Sequence, residues 1–192
     1  MFVSCVSNLR EIGDPASELI LFPEYADLDE IKLAASNFPD SFVAGAIKTG
    51  RRSRGLLLHR GRNRIDYLKV GTDDITEGTG IMPPLPVYEF ETLCVGVVIC
   101  MDVQVPELVR NVVARVARSA SKHKIVCIPA YMDSSWFTGP TLDANFRDVH
   151  VALCNHTHQD RPRCKSFIAS PDRCKIHEQH DIESLHAELT SK

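Results

Sequence analysis

The residues with the clearest chemical potential lie around Cys100, where an apolar, β-branched run over 95–99 ends in a cysteine. An acidic turn with Asp102 follows, and Pro106 then opens an amphipathic segment. This pattern predicts a strand-to-helix corner that projects the thiol toward a pocket. A thiol becomes an effective nucleophile when a base lies close to the sulfur or a positive field stabilises the thiolate.

Two further residues are candidates for activating that thiol, because each stands at the end of an apolar segment. Glu24 comes just past a continuous apolar run, where a carboxylate partly removed from water suits proton transfer. Lys69 ends a predicted hairpin strand, where its ammonium can stabilise an oxyanion forming at a carbonyl. Taken singly, each residue has an ordinary explanation, a solvated charge for Glu24 or a core position for Cys100.

Taken together, three segments resemble the nitrilase (carbon–nitrogen hydrolase) superfamily, whose members carry a Glu-Lys-Cys triad in this chain order. The segments are Phe-Pro-Glu at 22–24, Tyr-Leu-Lys at 67–69 and Val-Val-Ile-Cys-Met-Asp at 97–102, and Pro-Glu follows at 106–107. The resemblance implies that Glu24 is the general base, Lys69 the oxyanion stabiliser and Cys100 the nucleophile.

The activity that this resemblance implies is thiol-dependent hydrolysis of a non-peptide carbon–nitrogen bond. A small amide is the default substrate, and a nitrile or an N-carbamoyl compound is the other option. The reaction passes through a Cys thioester and releases ammonia. The family needs neither a cofactor nor a metal.

The resemblance covers about residues 19–172 and implies further site residues. Glu77, at the family's usual offset from the lysine, is the candidate for a second acid that helps to hold the substrate. The backbone N–H of Met101 is a further oxyanion donor, and Tyr25 and Trp136 are candidates for contact with the substrate. Other matching positions are Pro129, Ala130, Asn155 and the segment 166–172.

Composition limits the class of protein. The 192 residues are 44% hydrophobic and 24% charged, typical of a globular protein, and the net charge of −3 argues against a general nucleic-acid binder. The basic cluster over 51–64 is interpreted as a solvated hairpin surface. The sequence shows no signal peptide and no apolar stretch near the roughly 18 residues of a membrane span. Four of seven cysteines lie in apolar runs, which favours a cytoplasmic protein.

Periodicity and turn residues predict the elements that must position these side chains. A long loop is expected over 71–86, a length often found at active sites. The predicted helices are 27–37, 106–121 and 181–189, with a further helix end in 143–148. The predicted strands are 2–6, 18–25, 41–48, 55–59, 64–70, 87–90, 94–100, 124–130, 150–155 and 166–170.

Alternating strands and helices indicate an α/β domain with a mixed sheet. With the resemblance, this becomes a single domain over 1–192 that forms a four-layer αββα sandwich of the nitrilase type, trimmed at its N-terminus. Family members are usually longer, so loops that wall the substrate pocket are expected to be missing or supplied by a partner. The resemblance also implies a homodimer, with the exposed face of the 106–121 helix as a candidate surface.

Two other interpretations compete with the enzyme. In the first, the shortened fold is catalytically degenerate and acts as a binding or assembly module. In the second, a zinc site forms near the C-terminus, although the spacings match no standard ligand pattern. The residues available for such a site are Cys154, His156, His158, Cys164, Cys174, His177 and His180.

Overall fold

A computed structural model describes residues 1–7, 9–12, 17–70, 84–131, 144–155, 165–172, 176–179 and 184–189. Two short 3-10 helices occupy Leu9–Glu11 and Cys100–Gln104. The other elements of this part of the chain are β1 (Phe2–Val6), β2 (Leu19–Glu24), α1 (Leu28–Asn37), β3 (Phe42–Thr49), β4 (Arg52–His59), β5 (Arg62–Leu68), β6 (Val87–Phe90), β7 (Leu93–Val97), α2 (Pro106–Arg118), β8 (His123–Ala130), β9 (His150–Asn155), β10 (Ser166–Ala169), β11 (Ile176–Gln179) and β12 (Ser184–Glu188).

The strands form two six-stranded sheets with the same pattern of pairing. One sheet has the order β12-β1-β2-β3-β4-β5 and the other the order β6-β7-β8-β9-β10-β11. In each sheet the second, third and fourth strands pair in parallel, and the remaining neighbours are antiparallel. The prediction of mixed sheets is therefore confirmed. The two sheets repeat one design, although the sequence shows no repeat.

Side-chain alternation along the central strands separates four layers. On β2, Leu19 and Leu21 pack between the two sheets, whereas Ile20 and Phe22 face α1. On β7, Val95 and Val97 pack between the sheets, and the intervening positions face α2. Because successive strand residues point to opposite faces, each central strand buries both faces and reads as a continuous apolar run. The predicted αββα arrangement is confirmed.

Helix α2 is amphipathic as predicted, and it lies unusually close to β7. Its buried side chains face the sheet. A methyl group at Gly96 would lie 2.6 Å from Val112 Cγ1 and 3.1 Å from Val116 Cγ2. Glycine at this position therefore allows the helix to pack directly on the strand that leads to Cys100. The buried residues of α2 are Leu108, Val109, Val112, Val113 and Val116.

The hairpin of β4 and β5 has the exposed basic surface that was expected, and two of its arginines also contact aromatic rings. The Arg60 guanidinium lies 5.1 Å from the centre of the Phe90 ring, and that of Arg64 lies 5.4 Å from the Tyr88 ring. Both aromatic residues belong to β6, the edge strand of the opposite sheet. The two arginines therefore make cation–π contacts across the sheets, and their aliphatic stems cover this side of the sandwich.

The helix predicted over 181–189 is wrong, because this segment contains β12. Its residues pair antiparallel with β1, in a register that places Ala187 opposite Val3 and Leu185 opposite Cys5. The sequence Ser-Leu-His-Ala-Glu-Leu over 184–189 alternates with the period of a strand, and Ala187 and Leu189 are buried. The isolated segment also fits helical spacing, and pairing with the distant β1 decides between the two. Strand β11 was not predicted.

The end of β7 and the connection between β1 and β2 differ in detail from the sequence-based expectation. Strand β7 ends at Val97 rather than at Cys100, and the cysteine begins a 3-10 turn. Between β1 and β2 the described residues contain only the short 3-10 helix Leu9–Glu11, whereas α2 occupies the corresponding place in the other sheet. No helix among the described residues has the length and apolar character needed to cross a membrane.

We expect Gly96→Ala to lower the free energy of unfolding by about 1–3 kcal/mol, because the added methyl group overpacks the contact with Val112. Urea denaturation measures this change. Val112→Ala removes the clashing Cγ1 atom, so the double variant should lose less stability than the sum of the single losses. Additive losses would show that the methyl group at position 96 does not clash with Val112 and that α2 packs less closely on β7.

Candidate active site

Glu24 ends β2, and an irregularity in the strand directs it. The pairing register between β2 and β3 shifts between Leu21 and Glu24. Leu21 pairs with Ala44 and Glu24 pairs with Ala46, so β2 has one more residue than β3 over this stretch. Pro23 lies inside this shifted segment, where its missing N–H costs no regular ladder bond. The Glu24 side chain is 1% exposed, so its carboxylate depends on protein donors rather than on water.

Lys69 follows the end of β5 and brings its ammonium to that carboxylate. Its Nζ donates to Glu24 Oε1 at 2.7 Å, and its backbone N–H donates to the Ser53 carbonyl at 2.8 Å. Burial opposes the positive charge, but attraction to Cys100, Glu24 and Asp102 outweighs that effect and raises the pKa of Lys69 above its ordinary value. The side chain therefore stays an ammonium near neutral pH.

Cys100 sits at a tight corner beside this ion pair. Its φ of 42° lies in the left-handed region, which non-glycine residues seldom adopt and which often marks functional sites. Its thiol forms a hydrogen bond with the Glu24 carboxylate. Burial, then the charge of Glu24 and this hydrogen bond, raise the pKa of the thiol to about 12, although Lys69 and the backbone of Tyr131 act to lower it. The sulfur is therefore a protonated thiol at neutral pH, with a base in contact.

Two hydrogen bonds hold the corner against the end of β5. The Ile99 N–H donates to Tyr67 Oη at 2.7 Å, and the Val70 N–H donates to Asp102 Oδ2 at 3.2 Å. Asp102 is itself fully buried, and its N–H donates to the Ile99 carbonyl at 2.9 Å. Residues on both sides of Cys100 are thus tied to the segment that carries the lysine.

The structure brings Glu24, Lys69 and Cys100, the three residues of the predicted triad, together. Met101 is partly buried in the first turn after the cysteine. Tyr25 is 46% exposed, and its ring lies 5.6 Å from that of Tyr131. Predicted residues Glu77 and Trp136, and most of the 71–86 loop, lie outside the described residues.

Sequence reasoning missed three residues of the site. The Ser53 hydroxyl donates to Glu24 Oε1, and Tyr67 Oη accepts a hydrogen bond from the Ile99 N–H. The backbone of Tyr131 forms a hydrogen bond with Cys100. Tyr67 belongs to the motif at 67–69, and Tyr131 directly follows the matched Pro-Ala pair. Their positions next to matched segments could therefore have identified both as site residues. Ser53 lies in a basic stretch that carries no such signal.

The zinc interpretation gains no support from the part of the chain whose side chains are described. No group of three or more His, Cys, Asp or Glu side chains there is arranged to hold a metal ion. Cys154 packs between the two sheets, and the burial of its thiol raises its pKa well above the ordinary value. The other candidate ligands lie outside the side chains that the structure describes.

A cavity of about 220 Å³ lies near the starts of β2, β3 and β7, at the opposite end of the sandwich from Cys100. Its lining includes the ion pair of Arg60 and Asp40, 3.9 Å apart, and Glu18, whose carboxylate lies 3.5 Å from the amino group of Met1. These charges are paired within the protein. The cluster of Glu24, Lys69 and Cys100 lies at the other end of the sheets from this cavity.

Comparison with known proteins identifies the fold. No family model and no curated protein matches the sequence. Among solved structures, an amidase from Nesterenkonia sp. AN1 is similar with a TM-score of 0.71 and 16% identity, over 99% of this chain and 93% of that chain. A cysteine-to-alanine mutant of that amidase, described as a nitrilase-superfamily protein, has a TM-score of 0.69 and 17% identity over 98% and 90% of the two chains.

A further form of the Nesterenkonia amidase, in complex with butyramide, is similar with a TM-score of 0.69 and 18% identity, over 98% of this chain and 90% of that chain. Another form shows Michael addition of acrylamide at the active-site cysteine of that protein. At these identities the likeness shows that this chain has the fold of a nitrilase-superfamily amidase, as the sequence motifs imply.

We expect Tyr67→Phe to destabilise the protein by about 1–3 kcal/mol, because the Ile99 N–H then loses its acceptor in a buried place. Chemical denaturation measures the loss. Tyr88→Phe removes a phenol hydroxyl from the side of the sandwich and should leave stability within about 0.5 kcal/mol. Equal stability of Tyr67→Phe and wild type would show that this hydrogen bond does not hold the corner.

Glu24→Gln should lower the pKa of the Cys100 thiol from about 12, because the carboxylate charge raises it and the neutral amide does not. The rate of alkylation of Cys100, followed by mass spectrometry as a function of pH, reports this pKa. As more thiolate is then present at a given pH, alkylation near neutral pH becomes faster. Glu107→Gln, an exposed acid on α2, is the control with no expected shift.

Proposed function

We propose that this protein is a thiol hydrolase of non-peptide carbon–nitrogen bonds and that its substrates are small primary amides. The observation that supports this most is the buried contact of three groups, in which Lys69 Nζ lies 2.7 Å from Glu24 Oε1 and the Cys100 thiol bonds the same carboxylate. A base, a cation and a nucleophile then meet at one point. The fold likeness to amidases agrees with this proposal.

The raised pKa of the cysteine bears on how the first step proceeds. A thiol with a pKa of about 12 supplies very little thiolate at neutral pH, so it must lose its proton as it attacks. Glu24 is in contact to take that proton while Cys100 Sγ forms a bond to the amide carbonyl carbon. The proposal is therefore general-base catalysis rather than attack by a preformed thiolate.

The negative charge that develops on the carbonyl oxygen needs donors that are already in place. Lys69 keeps its positive charge and is anchored through both its ammonium and its backbone N–H. The proposed second donor is the backbone N–H of Met101, at the turn that begins with Cys100.

Collapse of the tetrahedral intermediate completes the acyl transfer. The carbon–nitrogen bond breaks, Glu24 returns the proton to the leaving nitrogen, and ammonia departs. Water, deprotonated by Glu24, then attacks the thioester carbon. The carbon–sulfur bond breaks, the thiol recovers a proton, and a carboxylic acid is released. Glu77 is the proposed second acid that helps to hold the substrate.

The proposed substrate site lies beside the aromatic pair of Tyr25 and Tyr131, with Trp136 as a further contact. Tyr25 follows the base directly, and the Tyr131 backbone contacts the cysteine, so both residues flank the reacting atoms. Acrylamide, butyramide and fluoroacetamide are amides named for the Nesterenkonia amidase. Amides of that size form the natural first set of test compounds.

The remaining implications of the family stay predictions. These are a single domain over 1–192 without a cofactor, a cytoplasmic location and a homodimer. The outer face of α2 proposed for the dimer carries an exposed ion pair, with Arg110 Nη2 2.9 Å from Glu107 Oε1. Sedimentation of the purified chain measures its oligomeric state.

We expect Cys100→Ala to abolish ammonia release from small amides and covalent trapping by a haloacetamide at this position. Cys94→Ala is the matched control, because Cys94 is a buried cysteine on the same strand segment, facing α2. It should keep turnover within about threefold of wild type. Ammonia release by Cys100→Ala at the wild-type rate would overturn the assignment, and a wild type inactive on amides, nitriles and N-carbamoyl compounds would favour a binding module.

A further inference from the structure

Ser53 contacts two members of the site through two different groups. Its hydroxyl donates to Glu24 Oε1 at 2.5 Å, and its carbonyl accepts from the Lys69 N–H at 2.8 Å. The side chain is 3% exposed, so the first bond forms away from water. Ser53 thus links the base and the cation, which lie 45 residues apart in the chain.

The geometry points to Ser53 as a positioning residue that holds the Glu24 carboxylate in register with the Cys100 thiol and the Lys69 ammonium. This inference rests on the proposed function for its effect on turnover. The contacts themselves do not depend on the substrate.

Ser53 can set the position of the carboxylate because its own backbone is held on both sides. It lies on β4, where it pairs with Lys48 of β3, and the next residue, Arg54, pairs with Leu68 of β5. Its short side chain gives the hydroxyl little freedom. The Lys69 ammonium, by contrast, is at the end of a flexible stem and can follow the carboxylate as it turns.

Strand β2 does not supply the same constraint. Its regular pairing with β3 shifts between Leu21 and Glu24, just before the base. Strand β1 pairs with β2 only over residues Leu19, Ile20 and Leu21. The backbone of Glu24 is therefore less firmly set by the sheet than that of Ser53, and a side-chain bond to Ser53 compensates.

Both donors occupy the same oxygen of Glu24. Lys69 Nζ and Ser53 Oγ both donate to Oε1, so two hydrogen bonds from different directions orient the carboxylate. Among the described residues, the charged groups that act on Cys100 are Glu24 and Lys69, and Asp102 acts on Lys69 from the corner. Loss of the Ser53 bond removes the donor on a rigid strand and leaves, among the described side chains, the flexible lysine and the thiol itself against the carboxylate.

We test this inference with Ser53→Ala, Ser53→Thr and the matched control Ser41→Ala. Ser41 is also a buried serine, and its hydroxyl donates to the Ser17 carbonyl at 2.6 Å at the far end of the sandwich. Its replacement removes a comparable hydrogen bond without touching the site. Ser53→Thr keeps a hydroxyl at position 53 and should restore the wild-type behaviour.

For turnover of a small amide, Ser53→Ala should lower kcat by about tenfold with KM within about twofold, because a misplaced base slows the chemical step rather than binding. Ser41→Ala and Ser53→Thr should stay within about threefold of the wild-type kcat. A general loss of folded protein would lower the active fraction of both alanine variants, which active-site titration corrects.

The second readout does not require amidase activity. The pH midpoint of Cys100 alkylation should fall in Ser53→Ala, in the direction of Glu24→Gln, since the carboxylate no longer stays against the thiol. Ser41→Ala should match wild type. A midpoint unchanged in Ser53→Ala but shifted in Glu24→Gln would overturn the inference. A shifted midpoint in a protein that hydrolyses no amide would support the role of Ser53 and reject the proposed function.

Discussion

The buried ion pair between Lys69 and Glu24 is the interaction on which the rest of the site depends. The two groups lie 2.7 Å apart, and the Glu24 side chain is 1% exposed. An unpaired charge in such a place costs several kcal/mol, so removing either partner leaves the other in an unfavourable state. The pair also fixes the electrostatics of Cys100, because its negative member raises the thiol pKa and its positive member lowers it.

This pair forms because of how the two sheets are built. Strands β2 and β7 are inner strands of the two sheets, and each pairs in parallel with at least one neighbour. Their carboxyl ends carry Glu24 and the turn of Cys100. The antiparallel return of β5 brings Lys69 to the same end. Side chains of Leu21 and Val97 pack between the sheets just before the reactive residues, so the apolar core sets the distance between the two halves.

The surroundings of the thiol are the basis for proposing that proton transfer and attack occur together. A positive field alone would produce a stable thiolate, as it does in many reactive cysteines. Here burial and the carboxylate hold the proton on sulfur, and in the proposed mechanism the same carboxylate accepts that proton. The raised pKa of Lys69 keeps its ammonium charged near neutral pH, which fits the proposed role of oxyanion stabiliser.

Local sequence patterns determined much of this protein. Continuous apolar runs predicted the central strands, the Pro106 start and apolar spacing predicted α2, and motif order placed Glu24, Lys69 and Cys100 in one site. These features depend on neighbouring residues and on chain order, which a sequence shows directly.

Only the tertiary structure decided which side chains contact the three residues of the proposed triad. Ser53 lies 29 residues from Glu24, and Tyr67 lies 32 residues from Ile99, yet each pair is joined by a hydrogen bond. The segment over 184–189 likewise became a strand through pairing with β1 at the other end of the chain. Hydrogen bonds and strand pairing between distant segments depend on register and packing, and these arise only when the whole sandwich is assembled.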